Sequence, residues 1–314
     1  MDSLKRFSQT ILSRNVALTL ALGAAITASA ADIGKTFATP EAAVAALVAA
    51  ASAEDTNALR VIFGPLAEDI QNPDRVQATN ELSAFNAAVN QGKRIVHESD
   101  SKCALEVGDN SWPFPVPIVK RNGQWFFDTA AGKDELLNRR IGRNELATLQ
   151  AVRAYVEAQR EYASKDRDGD EVLEYAQKII STPGAKDGLF WSPDLDGEIS
   201  PLGPFAADAA AEGYKTTRSP GDEPRPFHGY FFKILVRQGQ HAPGGKYDYV
   251  INGNMIGGFA LVAWPAEYGE TGIMTFVVNQ QGRVYQKDLG PDTAKTAEAM
   301  KAYDPDKTWA ISKD

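Results

Sequence analysis

The stretch KDRDGDE places Asp166, Asp168 and Asp170 at alternate positions, a pattern that can bind a metal ion or supply catalytic carboxylates. Counted from Asp166, the three fill positions 1, 3 and 5 of a calcium loop of the EF-hand type. Such a loop also has glycine at position 6 and a bidentate glutamate at position 12, where this chain has Glu171 and Gln177. Because the turn glycine and the strongest ligand are missing, the pattern predicts a weak calcium site at most.

A second acidic stretch, SPDLDGE, alternates Asp194, Asp196 and Glu198 around Gly197. If the fold brings the two stretches together, a cation can bridge them, or their carboxylates can act as an acid and base pair. Glycoside chemistry would require two carboxyl groups about 5–10 Å apart in a cleft. If the stretches stay apart, both are solvated turns, the usual context of Asp-Gly in loops. The candidate metal ligands are therefore Asp166, Asp168, Asp170, Asp194 and Asp196.

The alternative for the first stretch is a polar turn that leads into a helix. Asp168-Gly169 would form the turn, while Asp170 and Glu171 would stabilise the positive start of the helix. The apolar residues between positions 172 and 180 recur at helical spacing, and Pro183-Gly184 would end the helix. We therefore predict mainly a turn that leads into an amphipathic helix.

Other common catalytic and metal motifs are missing from the sequence. His97, His228 and His241 share no short spacing, and Cys103 is the only cysteine, so the sequence argues against a zinc site. The chain has no G-x-S-x-G, no H-E-x-x-H and no Walker loop. We interpret His228, which precedes Gly229 and a strand, as a structural residue.

The first residues predict export. Basic residues come first, the uncharged apolar run Val16–Ile26 follows, and Ala28-Ser29-Ala30 supplies small residues for a signal peptidase. The apolar run is shorter than the roughly 20 residues of a membrane span. We predict a signal peptide over residues 1–30 and a periplasmic or secreted protein with no stable membrane span after cleavage.

The charge of the chain excludes several partners. Residues 1–30 carry a net charge of +2, so their removal changes the formal charge from −8 to −10. An acidic protein is repelled by nucleic acid and by anionic lipid, so neither is a predicted partner. The unpaired Cys103 cannot form an internal disulfide and is predicted to be buried in a strand.

The pattern over residues 31–142 predicts an α+β module. Thr39-Pro40 is a helix start, and Gly64-Pro65 stops a second short helix. From Ile95 onward the pattern is typical of strands, and Asn122-Gly123 predicts a hairpin turn. Helices followed by strands predict helices packed on a curved antiparallel sheet.

The pattern over residues 143–314 predicts a second α+β module, with a long helix packed on a small antiparallel sheet. The helical period returns near Asn144, where Leu149, Val152 and Val156 form one apolar stripe. Three strands follow in GYFFKILVR, GGFALVAWP and GIMTFVVNQQGRVYQKDLG. No flexible linker separates the modules, so a tight joint is predicted near 139–143.

Nearly the whole chain, from about residue 36 to 310, resembles one family, and three runs of sequence show the resemblance. They are FPVPIVKRNGQWFFDTAAGKDELLNRRIGRNE, DGLFW and HGYFFKIL. The chain resembles a family of secreted bacterial proteins that is known only as a domain of unknown function. The resemblance therefore implies secretion and no particular activity.

Each half also resembles a known fold. The first half, whose sheet ends in GQWFFD, is similar to NTF2-like (cystatin-like) folds. The second half resembles the soluble head of pilin-like and pseudopilin-like proteins, through the helix 149–162 and a set of residues that follow it along the chain. No apolar pilin stem precedes that helix, so the resemblance implies the head fold and not assembly into a pilus. The matching residues are Asp187, Gly188, Leu189, Gly229, Tyr230, Phe232, Ala263, Pro265, Thr271, Gly272, Phe276, Gly282 and Val284.

These observations predict an exported, non-catalytic envelope protein that acts as a binding or assembly module. Its partner, an envelope protein or a ligand, is not identified by the sequence, and no cofactor is predicted apart from the weak calcium. The alternative is a periplasmic hydrolase that uses carboxylates of the two acidic loops. The sequence alone leaves open whether the protein is an enzyme.

Overall fold

The computed structural model describes residues 33–167, 169–195, 197–216 and 223–313. It is an α+β structure in which helices pack against antiparallel sheets, as the sequence predicts. The first half contains α1 (Pro40–Ser52), α2 (Thr56–Phe63), α3 (Ala67–Ile70), α4 (Arg75–Gln91), β1 (Lys93–Ser99), β2 (Lys102–Val107), β3 (Trp112–Pro113), β4 (Ile118–Arg121) and β5 (Gln124–Phe127).

The second half begins within a long helix and ends with a larger sheet. Its described helices and strands follow one another in chain order. They are α5 (Thr129–Tyr162), α6 (Gly203–Ala211), β6 (Tyr230–Leu235), β7 (Arg237–Gln238), β8 (Tyr247–Asp248), β9 (Val250–Ile251), β10 (Asn254–Met255), β11 (Ala260–Pro265), β12 (Met274–Asn279), β13 (Tyr285–Asp288), α7 (Thr293–Ala299) and β14 (Ala310–Ile311).

Local signals fix the elements of the first half. The Thr39 hydroxyl accepts a hydrogen bond from the N–H of Ala42 at 3.1 Å and caps α1, and Pro40 is its first residue. In the first sheet β2 lies between β1 and β4, and β4 pairs with β5. The turn between β4 and β5 places Asn122 and Gly123 at φ values of 52° and 80°. The predicted helix start and the predicted Asn-Gly hairpin are both confirmed.

The helix α5 differs from its prediction because it begins at Thr129 and not near Asn144. Its 34 residues extend over about 51 Å. Asp128 caps it, since its carboxylate accepts a hydrogen bond from the N–H of Ala131. The helix passes without a break through positions 139–143, so the predicted joint is a continuous helix. The division of the chain into two domains stays a prediction.

The second sheet has the order β14-β13-β12-β11-β6, and all its neighbours are antiparallel. All six residues of β11 are buried. The predicted stripe of α5, Leu149, Val152 and Val156, is buried in the same core cluster as β11. The three predicted strand regions are confirmed, since they correspond to β6, to β11 and to the pair of β12 and β13.

The predicted amphipathic helix after the acidic stretch is wrong. Residues 172–182 form no helix, and isolated bridges pair Tyr175 with Met255 and Ile180 with Phe190. The residues instead form an extended segment that lies between β10 and the loop near Phe190. Ala176 is buried in it, whereas Leu173 and Ile180 are exposed. No helix in the described part of the chain is both long and apolar enough to cross a membrane.

Candidate functional site

The first acidic stretch folds as a turn closed by its own carboxylate. Asp166 accepts hydrogen bonds from the N–H of Gly169 at 2.8 Å and from the N–H of Glu171 at 2.9 Å. Both carboxylate oxygens therefore have a backbone donor from the same loop. Asp168 lies outside the described residues.

The next carboxylates attach this turn to β10. Asp170 accepts from the N–H of Val172 at 2.8 Å and from the side-chain amide of Asn254 at 2.7 Å. Glu174 accepts from the N–H of Met255 at 2.9 Å. The predicted helix-capping role of Asp170 is wrong, because no helix follows it and its carboxylate closes a local turn instead.

The second acidic stretch contributes Asp194 and Glu198 to the described residues, while Asp196 lies outside them. Asp194 stands in a short 3₁₀ turn, where its carboxylate accepts a hydrogen bond from the hydroxyl of Ser192 at 3.0 Å. This contact is exposed and local. It brings no residue of the first stretch to Asp194.

Glu198 joins the two stretches through basic side chains. Lys165 and Arg167 approach its carboxylate at 3.1 and 3.0 Å, and Lys186 contacts its other oxygen. Arg167 is held between loops, since its guanidinium lies 5.0 Å from the ring centroid of Trp191 and its side chain is only 5 % exposed. The hydrogen bonds from Lys186, Lys165 and Arg167 lower the pKa of Glu198 to about 2.

The two loops thus meet at an ion-pair cluster in the described structure. Among the residues that the structure describes, no group of three or more His, Cys, Asp and Glu side chains is placed to hold a metal ion. Asp168 and Asp196 are not among those residues. The weak calcium site over Asp166, Asp168, Asp170, Asp194 and Asp196 therefore stays a prediction.

A cavity of about 540 Å³ lies where the start of α4, the middle of α5, α6 and β6 meet. Its wall comes from both halves of the chain and is mainly apolar, which is the usual character of small-molecule sites. The apolar residues with the largest side chains in its wall are Tyr155, Ile179, Ile180, Phe190, Leu202, Phe205, Tyr214, Phe227, Phe231, Phe232 and Leu261.

Aromatic contacts hold one side of the cavity. The ring of Phe227 lies 5.3 Å from that of Phe205 on α6 and 4.8 Å from that of Tyr214, measured between centroids. Such edge-to-face pairs stabilise the wall beyond the area they bury. Phe231 and Phe232 line the same cavity from β6.

The carboxylate of Asp74 lines the cavity and accepts hydrogen bonds from neighbouring groups of the protein. One oxygen caps α4 by accepting from the N–H groups of Val76 and Gln77, at 3.0 and 3.2 Å. The other accepts the hydroxyl proton of Tyr214 at 2.7 Å. Burial, followed by this hydrogen bond to a carboxylate, raises the pKa of Tyr214 above its ordinary value.

Behind the cavity, a chain of hydrogen bonds connects the two halves. The amide of Asn144 on α5 donates to the carbonyl oxygen of Thr271 at 2.8 Å, so its oxygen is left to accept from Gln77 at 2.7 Å. The same nitrogen of Gln77 lies 2.8 Å from Nδ1 of His228. Since Gln77 donates there, Nδ1 accepts, and Nε2 of His228 donates to Glu212 at 2.9 Å.

These hydrogen bonds fix the position of the His228 ring. Both ring nitrogens are used, so the imidazole connects Gln77 with Glu212. Its φ of 47° and the φ of 71° at Gly229 turn the backbone sharply before β6. A Cβ on Gly229 would lie 2.7 Å from Cβ of Thr271, so glycine is needed both for its conformation and for space.

The cavity was not predicted from the sequence. Its residues come from stretches around positions 73–76, 151–155, 179–232 and 261, and no local pattern connects them. The one sequence signal that could have indicated it was the aromatic density of PFHGYFF. Phe227, Phe231 and Phe232 are more aromatic residues than one buried face of a strand needs. That density suggested a strand, and the strand is present as β6.

A family model described as "Protein of unknown function (DUF2950)" matches residues 34–311. This match confirms the predicted resemblance of nearly the whole chain to a family of unknown function. No curated protein and no solved structure matches the chain. The more specific resemblances, to NTF2-like folds and to pilin heads, stay predictions.

Proposed function

The chain belongs to the DUF2950 family, and we propose that it is an exported, non-catalytic binding protein of the cell envelope that takes an apolar ligand in its cavity. One observation carries the proposal. The cavity of about 540 Å³ has an aromatic wall to which both halves of the chain contribute. Small-molecule sites of about 300–1,000 Å³ commonly have this apolar character.

Catalysis receives no support from the described groups near the cavity. The carboxylate of Asp74 accepts three hydrogen bonds from the protein, and both nitrogens of His228 are engaged. The described carboxylates of the acidic loops, Asp166, Asp170 and Asp194, do not line the cavity. These contacts favour binding over the alternative of a hydrolase that uses those loops.

Export is proposed on the sequence pattern of residues 1–30, which lie outside the described residues. The basic start, the apolar run and the small residues before Ala31 are typical of a cleaved signal peptide. A periplasmic or secreted location follows from that pattern, and the partner or ligand would be met there.

Binding can be tested with N-phenyl-1-naphthylamine, an uncharged dye whose fluorescence increases in apolar surroundings. Ala206 on α6 lines the cavity, so Ala206→Phe should fill part of it and weaken binding about tenfold. Ala207 is exposed and does not line this cavity, so Ala207→Phe is the matched control on the same helix.

The expected result is saturable binding by the natural protein and by Ala207→Phe, with weaker binding by Ala206→Phe. Absence of saturable binding by the natural protein would refute the proposal. Equal losses in both variants, or a loss only in Ala207→Phe, would also refute it, because the dye would then bind elsewhere.

A further inference from the structure

We infer that the ligand is an amphiphile with a single anionic head group, such as a long-chain carboxylate. Its head would lie at the rim beside Arg75 and Lys215, and its chain would lie against the aromatic wall. This inference rests on the proposed binding function and specifies the ligand class of the same cavity.

The charges around the cavity are opposite to those of the protein. The chain has 41 acidic and 33 basic residues. The charged residues that line the cavity in the described structure are nevertheless Arg75, Lys215 and Arg225, against Asp74 alone. A basic wall in an acidic protein provides local attraction for an anion.

The carboxylate of Asp74 is already stabilised by fixed donors of the protein. It accepts two N–H groups at the start of α4, where the helix dipole is positive, and the hydroxyl of Tyr214. Each of its two oxygens therefore already accepts a hydrogen bond from the protein. Arg75 and Lys215 are the cations at the rim that can meet an anionic head group.

Arg75 stands where a cation is locally unfavourable. It is the first residue of α4, and a positive charge at a helix N-terminus opposes the helix dipole. Its side chain is exposed and forms no ion pair within the described part of the chain, and the same holds for Lys215. An anionic head group beside these side chains would offset the unfavourable position of Arg75 and gain charge-assisted hydrogen bonds.

The aromatic wall accounts for the apolar part of the ligand. Phe205, Phe227 and Phe232 line the cavity and offer an apolar surface to the ligand chain. Burial of each methylene group contributes about a fourfold increase in affinity. A chain that fills the cavity would thus bind more tightly with each added carbon until the space is full.

The test displaces N-phenyl-1-naphthylamine with three compounds of equal chain length: dodecanoate, 1-dodecanol and dodecyltrimethylammonium. At about pH 8 the carboxylate is ionised. Dodecanoate should displace the dye at a concentration about tenfold lower than dodecanol, and the cation should be weakest. The double variant Arg75→Gln/Lys215→Gln should bind dodecanoate only as well as dodecanol.

A matched control replaces two exposed lysines that do not line the cavity, Lys93→Gln/Lys246→Gln, with the same change of net charge. The control should keep the preference for dodecanoate. Equal displacement by dodecanol and dodecanoate, or a preference that survives in Arg75→Gln/Lys215→Gln, would overturn the inference and leave the cavity function intact. Failure of the dye itself to bind would instead refute the proposed function.

Discussion

The side-chain amide of Gln159 forms two hydrogen bonds with the backbone of Ala176, one to its N–H and one to its C=O, each 2.8 Å long. The amide of Gln159 thus makes the two hydrogen bonds that a neighbouring strand would otherwise make with the backbone of Ala176. Gln159 is fully buried in α5. Because both backbone groups of Ala176 are used in this way, they are not available to helical neighbours, and the segment stays extended.

Replacement of Gln159 by leucine should destabilise the protein strongly. Gln159→Leu leaves a buried N–H and a buried C=O of Ala176 without partners, and each costs about 1–3 kcal/mol. The free energy of unfolding, measured by urea denaturation, should fall by about 2–5 kcal/mol. Gln150→Leu on the exposed side of the same helix should change it by less than about 0.5 kcal/mol. Equal effects of the two substitutions would contradict the role of this contact.

Elements with local causes could be predicted from the sequence. Thr39-Pro40 and Asn122-Gly123 act through residues within three positions of themselves, so their cap and turn were correctly identified. The start of α5 could not be placed, because the polar and glycine-containing run after Thr129 has little apolar period. Its helix is stabilised by contacts such as Arg140 with the carbonyl of Ile70.

The candidate site depended on contacts that the sequence does not display. The 3.6-residue spacing between 172 and 180 was real, but Gln159 satisfied Ala176 in an extended form. Similarly, Gln77 lies 151 positions before His228, and their contact exists only in the folded chain. Acidic loops are visible in a sequence, whereas a cavity assembled from several elements is not.

Replacement of Gly229 by alanine should destabilise the close contact of this residue with Thr271 and Asn144 behind the cavity. A positive φ costs a non-glycine residue about 1–2 kcal/mol, and overpacking against Thr271 and Asn144 adds about 1–3 kcal/mol. Gly229→Ala should lower the free energy of unfolding by about 2–5 kcal/mol. Gly123 has a similar φ of 80°, but a Cβ added there would meet no atom within 4 Å. Gly123→Ala should therefore lower the free energy of unfolding by only about 1–2 kcal/mol. Equal losses would show that the close approach to Thr271 is unimportant.

Export predicts a processed N-terminus. Cleavage after Ala30 should leave Ala31, or a residue within about two positions of it, as the first residue of the mature protein. Intact-mass measurement of protein from the cell envelope tests this directly. An Ala28→Arg/Ala30→Arg variant should accumulate uncleaved, because the peptidase requires small residues there. Met1 on the natural protein from the envelope would contradict export with cleavage.

Calcium should stabilise the protein only slightly. Asp166 and Asp170 already accept backbone hydrogen bonds, so an ion would have to replace those contacts. A site with millimolar affinity in about 1 mM calcium contributes about 0.4 kcal/mol, which corresponds to a shift of a degree or two in Tm. A shift of about ten degrees that disappears in Asp168→Ala would show a strong metal site and contradict this prediction.

Glu198 should make stability depend on pH in the acidic range. Hydrogen bonds from Lys186, Lys165 and Arg167 lower its pKa in the folded protein from 4.5 to about 2. As the pH falls below about 4.5, the unfolded chain binds a proton at Glu198 that the folded chain does not, so the equilibrium shifts toward unfolding. The stabilisation is therefore complete above about pH 4.5 and is lost as the pH approaches 2.

Urea denaturation of the natural protein and of Glu198→Gln over this pH range measures the effect. The difference in free energy of unfolding between them should be largest near neutral pH and should shrink as the pH falls toward 2. Glu157→Gln removes an exposed pair with Arg160 and should change stability by about 0–1 kcal/mol at neutral pH. A difference for Glu198→Gln that stays constant from neutral pH to pH 2 would mean that the three cations do not hold its carboxylate ionised.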